Sequence, residues 1–151
     1  MDVGRVCHRA VATIAPGASL VEAARMMRDR NVGDLVVVDH RDGRTMPTGV
    51  LTDRDIVVRG LAVEKADFAL MKVADLVHDP VVTIHEAKEL SEALDMMHRS
   101  GIRRIPVVAP NGSLVGIITL DDVLGAMSDD LSKVALLVAS QRLREAVKTG
   151  P

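Results

Sequence analysis

Leu35-Val36-Val37-Val38 and Ile105-Pro106-Val107-Val108 are short apolar runs bounded by charged residues on one or both sides. This pattern fits strands buried on both faces better than half-exposed strands. Before the first run, Val11 to Ile14 reads as a brief strand stopped by Pro16-Gly17. Ser19 then stands three residues ahead of Glu22, the spacing of a capping box, and Leu20, Ala23, Ala24 and Met27 recur on one helical face. After the run, Asp39 to Pro47 reads as a polar loop containing Asp42-Gly43, Gly49 to Leu51 as a strand, and Thr52-Asp53-Arg54-Asp55 as the entry to a helix reaching about Leu61. Val3, Val6 and Cys7 are spaced for one short helical turn at the start. The unit is therefore strand, helix, strand, strand, helix, followed by an Ala-rich and charged connection to Met71.

From Val73 the pattern restarts. At an offset of 70, Val11, Thr13, Ile14, Glu22, Ala23, Met26 and Met27 fall on Val81, Thr83, Ile84, Glu92, Ala93, Met96 and Met97, and His8 falls on His78. Past the buried strand the offset drops to 67, because the first loop is three residues longer, and Gly49-Val50-Leu51-Thr52-Asp53-Arg54-Asp55 aligns with Gly116-Ile117-Ile118-Thr119-Leu120-Asp121-Asp122. The second copy has Pro110-Asn111-Gly112-Ser113 as a tight hairpin, with Asn-Gly expected at positive φ. A duplicated unit buries its apolar face against its copy. After Gly125 comes a tail without a counterpart: Ser128-Asp129-Asp130 reads as a helix cap, and Leu131, Val134, Ala135, Val138 and Arg142 follow at helical spacing. Leu136, Leu137, Leu143 and Val147 widen its apolar face, and Lys148, Gly150 and Pro151 are expected to end it. The expected divisions are 1–66 for the first repeat, 67–127 for the second and 128–151 for the tail.

Composition narrows the function classes. With 48% apolar and 26% charged residues in 151, the chain has the material for a packed core. A net charge of -2 lacks the cation excess that nonspecific nucleic-acid binding needs, and one Phe with no Tyr or Trp cannot build base-stacking platforms. Cys7 is the single cysteine, which leaves no internal disulfide or zinc framework and fits a reducing, cytoplasmic setting. No signal-peptide core or membrane span is visible, so neither a membrane nor nucleic acid is an expected partner.

The duplicated Gly-apolar-apolar-Thr-x-x-Asp places a hydroxyl and a carboxylate where a strand enters a helix. Backbone N–H groups at a helix start attract phosphate oxygens, and a carboxylate accepts hydrogen bonds from the vicinal hydroxyls of a ribose. Helix capping by Thr52 and Thr119, with Asp55 and Asp122 as favourable first-turn acids, explains the same spacing. Both readings stay open on spacing alone.

Met96-Met97-His98-Arg99-Ser100-Gly101-Ile102-Arg103-Arg104-Ile105-Pro106-Val107-Val108, the Asn-Gly turn and Gly116 to Val123 resemble the second half of a cystathionine-beta-synthase (CBS) domain pair. Val32-Gly33-Asp34-Leu35-Val36-Val37-Val38 with Gly49 to Val57 resembles the first half, and the resemblance spans roughly Val3 to Leu124. It implies an α+β fold in which two β-α-β-β-α repeats pack sheet to sheet with pseudo-twofold symmetry, extended here by a C-terminal helix. It also implies paired modules associating as a homodimer, and clefts between repeats that take adenosine-containing ligands: AMP, ADP, ATP, S-adenosylmethionine or dinucleotides. By position, Asp55 and Asp122 would bind ribose hydroxyls, and Thr52 and Thr119 would lie near ribose or phosphate. Thr13 and Ile14, together with Val82, Thr83 and Ile84, would border the adenine, helped by main-chain groups near Ile105 and Pro106. Arg54, Arg103 and Arg104 are the candidate phosphate cations. Because Gly33-Asp34 replaces Arg103-Arg104 in the first repeat, and Asp34 would repel phosphate, two unequal sites are expected.

The expected function is an adenine-nucleotide sensor without catalytic activity. Its ligand would shift a pre-existing equilibrium of inter-repeat or dimer arrangements. The 27 residues after Leu124 leave room for no appended catalytic or transport segment, so the output would go to a separate effector protein or to the dimer. The rival is a ligand-free interaction scaffold. No nucleophile, base and orienter can be assembled from the sequence, and the repeated His8 and His78 lack metal-site spacing. The paired methionines are expected to fill the core, and Cys7 to be buried.

Overall fold

The computed structural model describes residues 1–63 and 67–148, with backbone alone for 143 and 145–148. The expected break at 66, the apolar positions Leu143 and Val147, and the end at Gly150-Pro151 lie outside the described residues or side chains. The elements run α1 (Val3–Val6), β1 (Thr13–Ile14), α2 (Leu20–Arg30), β2 (Asp34–Arg41), β3 (Arg44–Thr52), α3 (Asp53–Asp55), then β4 (Ile84–His85), α4 (Leu90–Ser100), β5 (Arg104–Val108), β6 (Leu114–Thr119) and α5 (Leu120–Lys148). Two three-stranded sheets result, β1-β2-β3 and β4-β5-β6, each with one parallel and one antiparallel pairing. Their registers coincide: Ile14 faces Val37 as Ile84 faces Val107, and both ladders shift register immediately after those valines. Among the described residues no helix is long and apolar enough to cross a membrane.

Leu35 to Val38 is buried on both faces because each sheet is covered twice. One face of β2 carries Leu35 and Val37 into a core with Leu20, Ala23 and Met27 of α2, while Val36 and Val38 meet Ile117 of β6 across the sheet-to-sheet contact. The second repeat builds the matching core from Ala93, Met97, Ile105, Val107 and Ile118. The Ser19-Glu22 capping box starts α2, with Ser19 N–H donating to Glu22 Oε2 at 2.7 Å and Glu22 N–H to Ser19 Oγ at 3.1 Å.

The cores exchange their opening turns. Val3 and Cys7 pack in the second core, and Val73 and Leu76 in the first. Val3 and Gly4 N–H donate to the Lys88 and Glu86 carbonyls, as Val73 and Ala74 donate to Ala18 and Pro16. The exchanged segments press onto glycines: a Cβ at Gly116 would lie 2.7 Å from Cys7 Sγ and 2.9 Å from the His8 carbonyl, and one at Gly49 would collide with Val77. Each half thus closes only on the other.

Three expectations of local structure are corrected. Asp39 to Pro47 is not a loop: β2 and β3 continue to Arg41 and from Arg44, joined by Asp42 and Gly43 at φ 51° and 72°. Two successive positive φ angles make the tight turn whose twist suits a hairpin, and the polar residues occupy a ribbon projecting past the core. In the second hairpin only Gly112 is at positive φ; the Asn111 side chain instead accepts from Ser113 N–H at 3.0 Å. The helix after Thr52 reaches Leu61 as expected, and widens over Ile56–Leu61, where Ala62 N–H reaches back to the Val57 carbonyl. Ser128-Asp129-Asp130 caps nothing, since α5 runs unbroken through Gly125, and the 127/128 boundary falls inside a helix.

Candidate functional site

At the end of β3, Thr52 and Asp55 form a reciprocal cap. Asp55 N–H donates to Thr52 Oγ1 at 3.1 Å, while Thr52 N–H and Oγ1 both donate to Asp55 Oδ2, at 3.0 and 2.8 Å. Thr119 and Asp122 repeat this arrangement. The capping reading therefore holds, but it uses one carboxylate oxygen in each copy. Oδ1 remains for other work, and here the halves differ. Asp55 lines a cleft of about 650 Å³, where its Oδ1 lies 3.8 Å from Arg59 Nε and accepts no hydrogen bond among the described residues. Asp122 Oδ1 lies 2.7 Å from His8 Nε2.

The Asp55 cleft draws on both repeats. The first supplies Thr52, Arg54, Asp55 and Arg59, and the second supplies His78, Val82, Arg103 and Arg104. Three of its arginines, Arg54, Arg59 and Arg103, carry forked donors of the kind that suit a phosphate. Val82 contributes a main-chain acceptor. In the first repeat the equivalent Ala12 carbonyl accepts from Val36 N–H at 2.9 Å, but Pro106 stands at the corresponding place and has no N–H to donate. Among the described residues the Val82 carbonyl has no main-chain donor, so it can accept from an exocyclic amino group such as that of adenine.

Arg104 is not a free cation. Its Nη1 pairs with Asp34 Oδ1 at 2.9 Å, and because the two occupy the same position in their repeats, the pair marks the pseudo-twofold axis. The expectation that Asp34 repels phosphate is thus modified: it neutralises one arginine of the open cleft. Burial, opposed by Arg104 and reinforced by Asp53, holds the Asp34 carboxyl above its ordinary 3.8. A folded state that binds this proton more tightly than the unfolded chain is most stable below the unfolded value, and loses that stability as pH rises through the raised value. Asp34→Asn is expected to remove this slope. Subtracting its melting temperature against pH from that of the wild type should leave a decline starting near pH 3.8, worth less than about 1 kcal/mol given the partly exposed pair. A flat difference would show that the pair balances burial fully.

The remaining sequence candidates divide. Ile14, Ile84, Ile105 and Pro106 are buried with their side chains in the packed interior, so they support the cleft walls without lining them. Thr13 sits on the short β1, and Thr83 borders a separate shallow hollow with Arg99. Thr119 and Asp122 belong to the half that His8 occupies. Arg59 and His78 were missed; the available signals were the i, i+4 spacing of Asp55 and Arg59 and the repetition of His8 by His78. Cys7 is buried, and burial pushes its thiol up from the ordinary value, away from nucleophilic use.

Two sheet-packed repeats, cross-braced by exchanged turns and separated by paired clefts, define a tandem-repeat α+β module. The chain belongs to the CBS domain family, whose domain model matches residues 3–61 and 73–129. It is 37% identical over 124 residues to the uncharacterized protein MK0525 of Methanopyrus kandleri, covering 82% of this chain but only 61% of that protein. It is 34% identical to the CBS domain-containing protein YhcV of Bacillus subtilis, covering 83% of this chain and 86% of that one. Among solved structures, the CBS domain pair of protein MJ0100 in complex with 5′-methylthioadenosine and S-adenosyl-L-methionine superposes with a TM-score of 0.74 at 24% identity, over 86% of this chain and 98% of that one. The CBS domain protein PAE2072 from Pyrobaculum aerophilum, complexed with AMP, gives 0.71 at 23% identity, over 81% and 89%.

Proposed function

We propose that this chain is a regulatory module that binds an adenine nucleotide in the Asp55 cleft and carries no catalytic activity of its own. The observation that carries this reading is the convergence, in one open cleft, of a carboxylate oxygen left over from helix capping, the Val82 carbonyl and a cluster of arginines. Asp55 Oδ1 takes the ribose hydroxyls, Val82 the adenine amino group, and Arg54 and Arg103 the phosphate. The arginines favour AMP, ADP or ATP over the cationic S-adenosylmethionine. Two fold neighbours hold adenosine-containing molecules, which supports the ligand class. A ligand-free scaffold is favoured only in the other half, where the protein's own His8 meets Asp122. Bound nucleotide would stabilise one inter-repeat arrangement and signal through the dimer or to a separate effector in the cytoplasm.

The test is thermal unfolding with AMP, ADP, ATP and S-adenosylmethionine. A ligand at about 100 times its dissociation constant adds roughly 2.7 kcal/mol, an upward shift of several degrees at about 2 to 4 °C per kcal/mol. No shift with any of them would remove the sensor reading in favour of the scaffold.

The homodimer would be made by α5. Leu124, Met127, Leu131, Val134 and Val138 are all exposed and recur at alternating three- and four-residue steps, the seam of a two-helix coiled coil. Asp130 near the start of this stripe and Arg142 and Arg144 near its end favour antiparallel pairing with a second copy. Replacing Leu131 and Val134 together by Asp should turn a sedimenting dimer into a monomer with an unchanged melting profile of the repeats. A wild-type chain that already sediments as a monomer would exclude this dimer.

A further inference from the structure

The open cleft is less basic than its arginines suggest. Arg54, Arg59, Arg103 and Arg104 line it, but so do Asp53, Asp55 and Asp79. Asp34 lies outside this lining and pairs with Arg104, Oδ1 to Nη1 at 2.9 Å. Four guanidinium groups thus meet four carboxylates, which leaves no surplus of positive charge for a chain of phosphates.

The four arginines are not equally available. Among the described residues, the Arg54 and Arg103 side chains enter no ion pair, and together they match the charge of one phosphate monoester. Each further phosphate needs a cation that is already engaged. Arg59 Nε lies 3.8 Å from Asp55 Oδ1, and its Nη1 donates to the Leu76 carbonyl at 3.3 Å. Arg104 meets Asp34, while its Nε is buried and donates to nothing among the described residues, so its fork is only partly used. Carboxylates also gather at this end. Asp53 stands near enough to Asp34 to reinforce the rise of its carboxyl, and Asp53 Oδ1 is held by Arg54 N–H at 2.7 Å.

We propose that Asp34 is a specificity-determining residue, which by holding Arg104 makes the Asp55 cleft a site for a nucleoside monophosphate and against the di- and triphosphate. This deepens, and rests on, the reading that the cleft takes an adenine nucleotide. AMP is accommodated with the contact between Asp34 and Arg104 intact. ATP has either to leave its outer phosphates near Asp34 and Asp53 or to draw Arg104 away, which strands a carboxylate only 21% exposed at the contact between the repeats. Discrimination comes from this added repulsion as much as from the attraction of the free arginines.

The experiment is equilibrium binding of AMP, ATP and inorganic tripolyphosphate to the full chain and to its Asp34→Asn variant, at one ionic strength. Wild type should bind AMP about tenfold tighter than ATP. Asp34→Asn should tighten ATP and tripolyphosphate by about tenfold, and AMP by less than about threefold. Asp34→Ala, which leaves Arg104 no side-chain acceptor at this position, should reproduce that gain. Adding Arg104→Gln to Asp34→Asn should abolish it, because the gain belongs to a released guanidinium and not to the mere loss of a nearby negative charge. An unchanged ratio of AMP to ATP affinity in both Asp34 variants, a gain that survives Arg104→Gln, or a wild type that prefers ATP overturns the proposal. Tripolyphosphate needs neither ribose nor adenine, so its arm stands apart from the nucleotide reading. Its gain in Asp34→Asn without AMP binding to wild type would refute that reading, yet uphold Asp34 as the residue that withholds Arg104 from phosphate chains.

Discussion

Asp55→Ala is expected to eliminate the AMP-induced rise in melting temperature while lowering the ligand-free melting temperature only slightly. The two effects belong to the two oxygens of one carboxylate. Oδ2 closes the cap with Thr52, and its loss costs about 1 kcal/mol, or roughly 2 to 4 °C. Oδ1 is left for the open cleft, and its loss takes away a charge-assisted acceptor for two ribose hydroxyls, weakening AMP by about 10- to 100-fold. Asp55→Asn separates them, since the amide oxygen can still accept from Thr52 while its charge is gone. The Asn variant should melt close to wild type without ligand, yet respond weakly to AMP. If both variants keep the full AMP response, the nucleotide is held elsewhere and Asp55 is only a cap.

The second large effect concerns the division between the repeats. A chain ending at residue 66 should not fold on its own, although it contains every strand of the first sheet. Its core includes Val73 and Leu76, 0% and 4% exposed, which this chain lacks. Burying two such side chains contributes about 1.5 to 3 kcal/mol each, and Val36 and Val38 would also lose their cover from Ile117. Against a usual total of about 5 to 15 kcal/mol, these losses exceed what so small a unit can spare. Circular dichroism should report an unfolded chain, with recovery of structure when residues 67–151 are supplied in trans. A cooperative thermal transition for the 1–66 chain alone would show that the exchanged turns are ornamental.

The duplication, both helices with apolar faces, the buried strands and the Thr-Asp caps were legible without coordinates because each depends on neighbours within a few positions. Periodicity reports burial, and the spacing of Ser19 and Glu22, or of Thr52 and Asp55, reports a hydrogen bond that closes within one helical turn. Misjudged segments were those in which local cues compete. Polar residues between Asp39 and Pro47 look like a loop, but two positive-φ residues at the tip let the ladder continue beyond the core. Ser128-Asp129-Asp130 looks like a cap, but a helix already in progress has no free N–H groups there to cap.

The sequence by itself determined that two α+β repeats would pair and that each would present a carboxylate at the end of its last strand. Only the tertiary structure decided which repeat covers which core, that Arg104 answers Asp34 across the axis, and that one carboxylate lines an open cleft while its twin meets His8. Two of these pairings, Arg104 with Asp34 and His8 with Asp122, join residues 70 and 114 positions apart. No period in the chain records them, because the same local pattern in both repeats is compatible with either arrangement. They follow from small differences, Pro106 for Val36 and arginines for acids, whose consequences appear only when the two sheets are packed together.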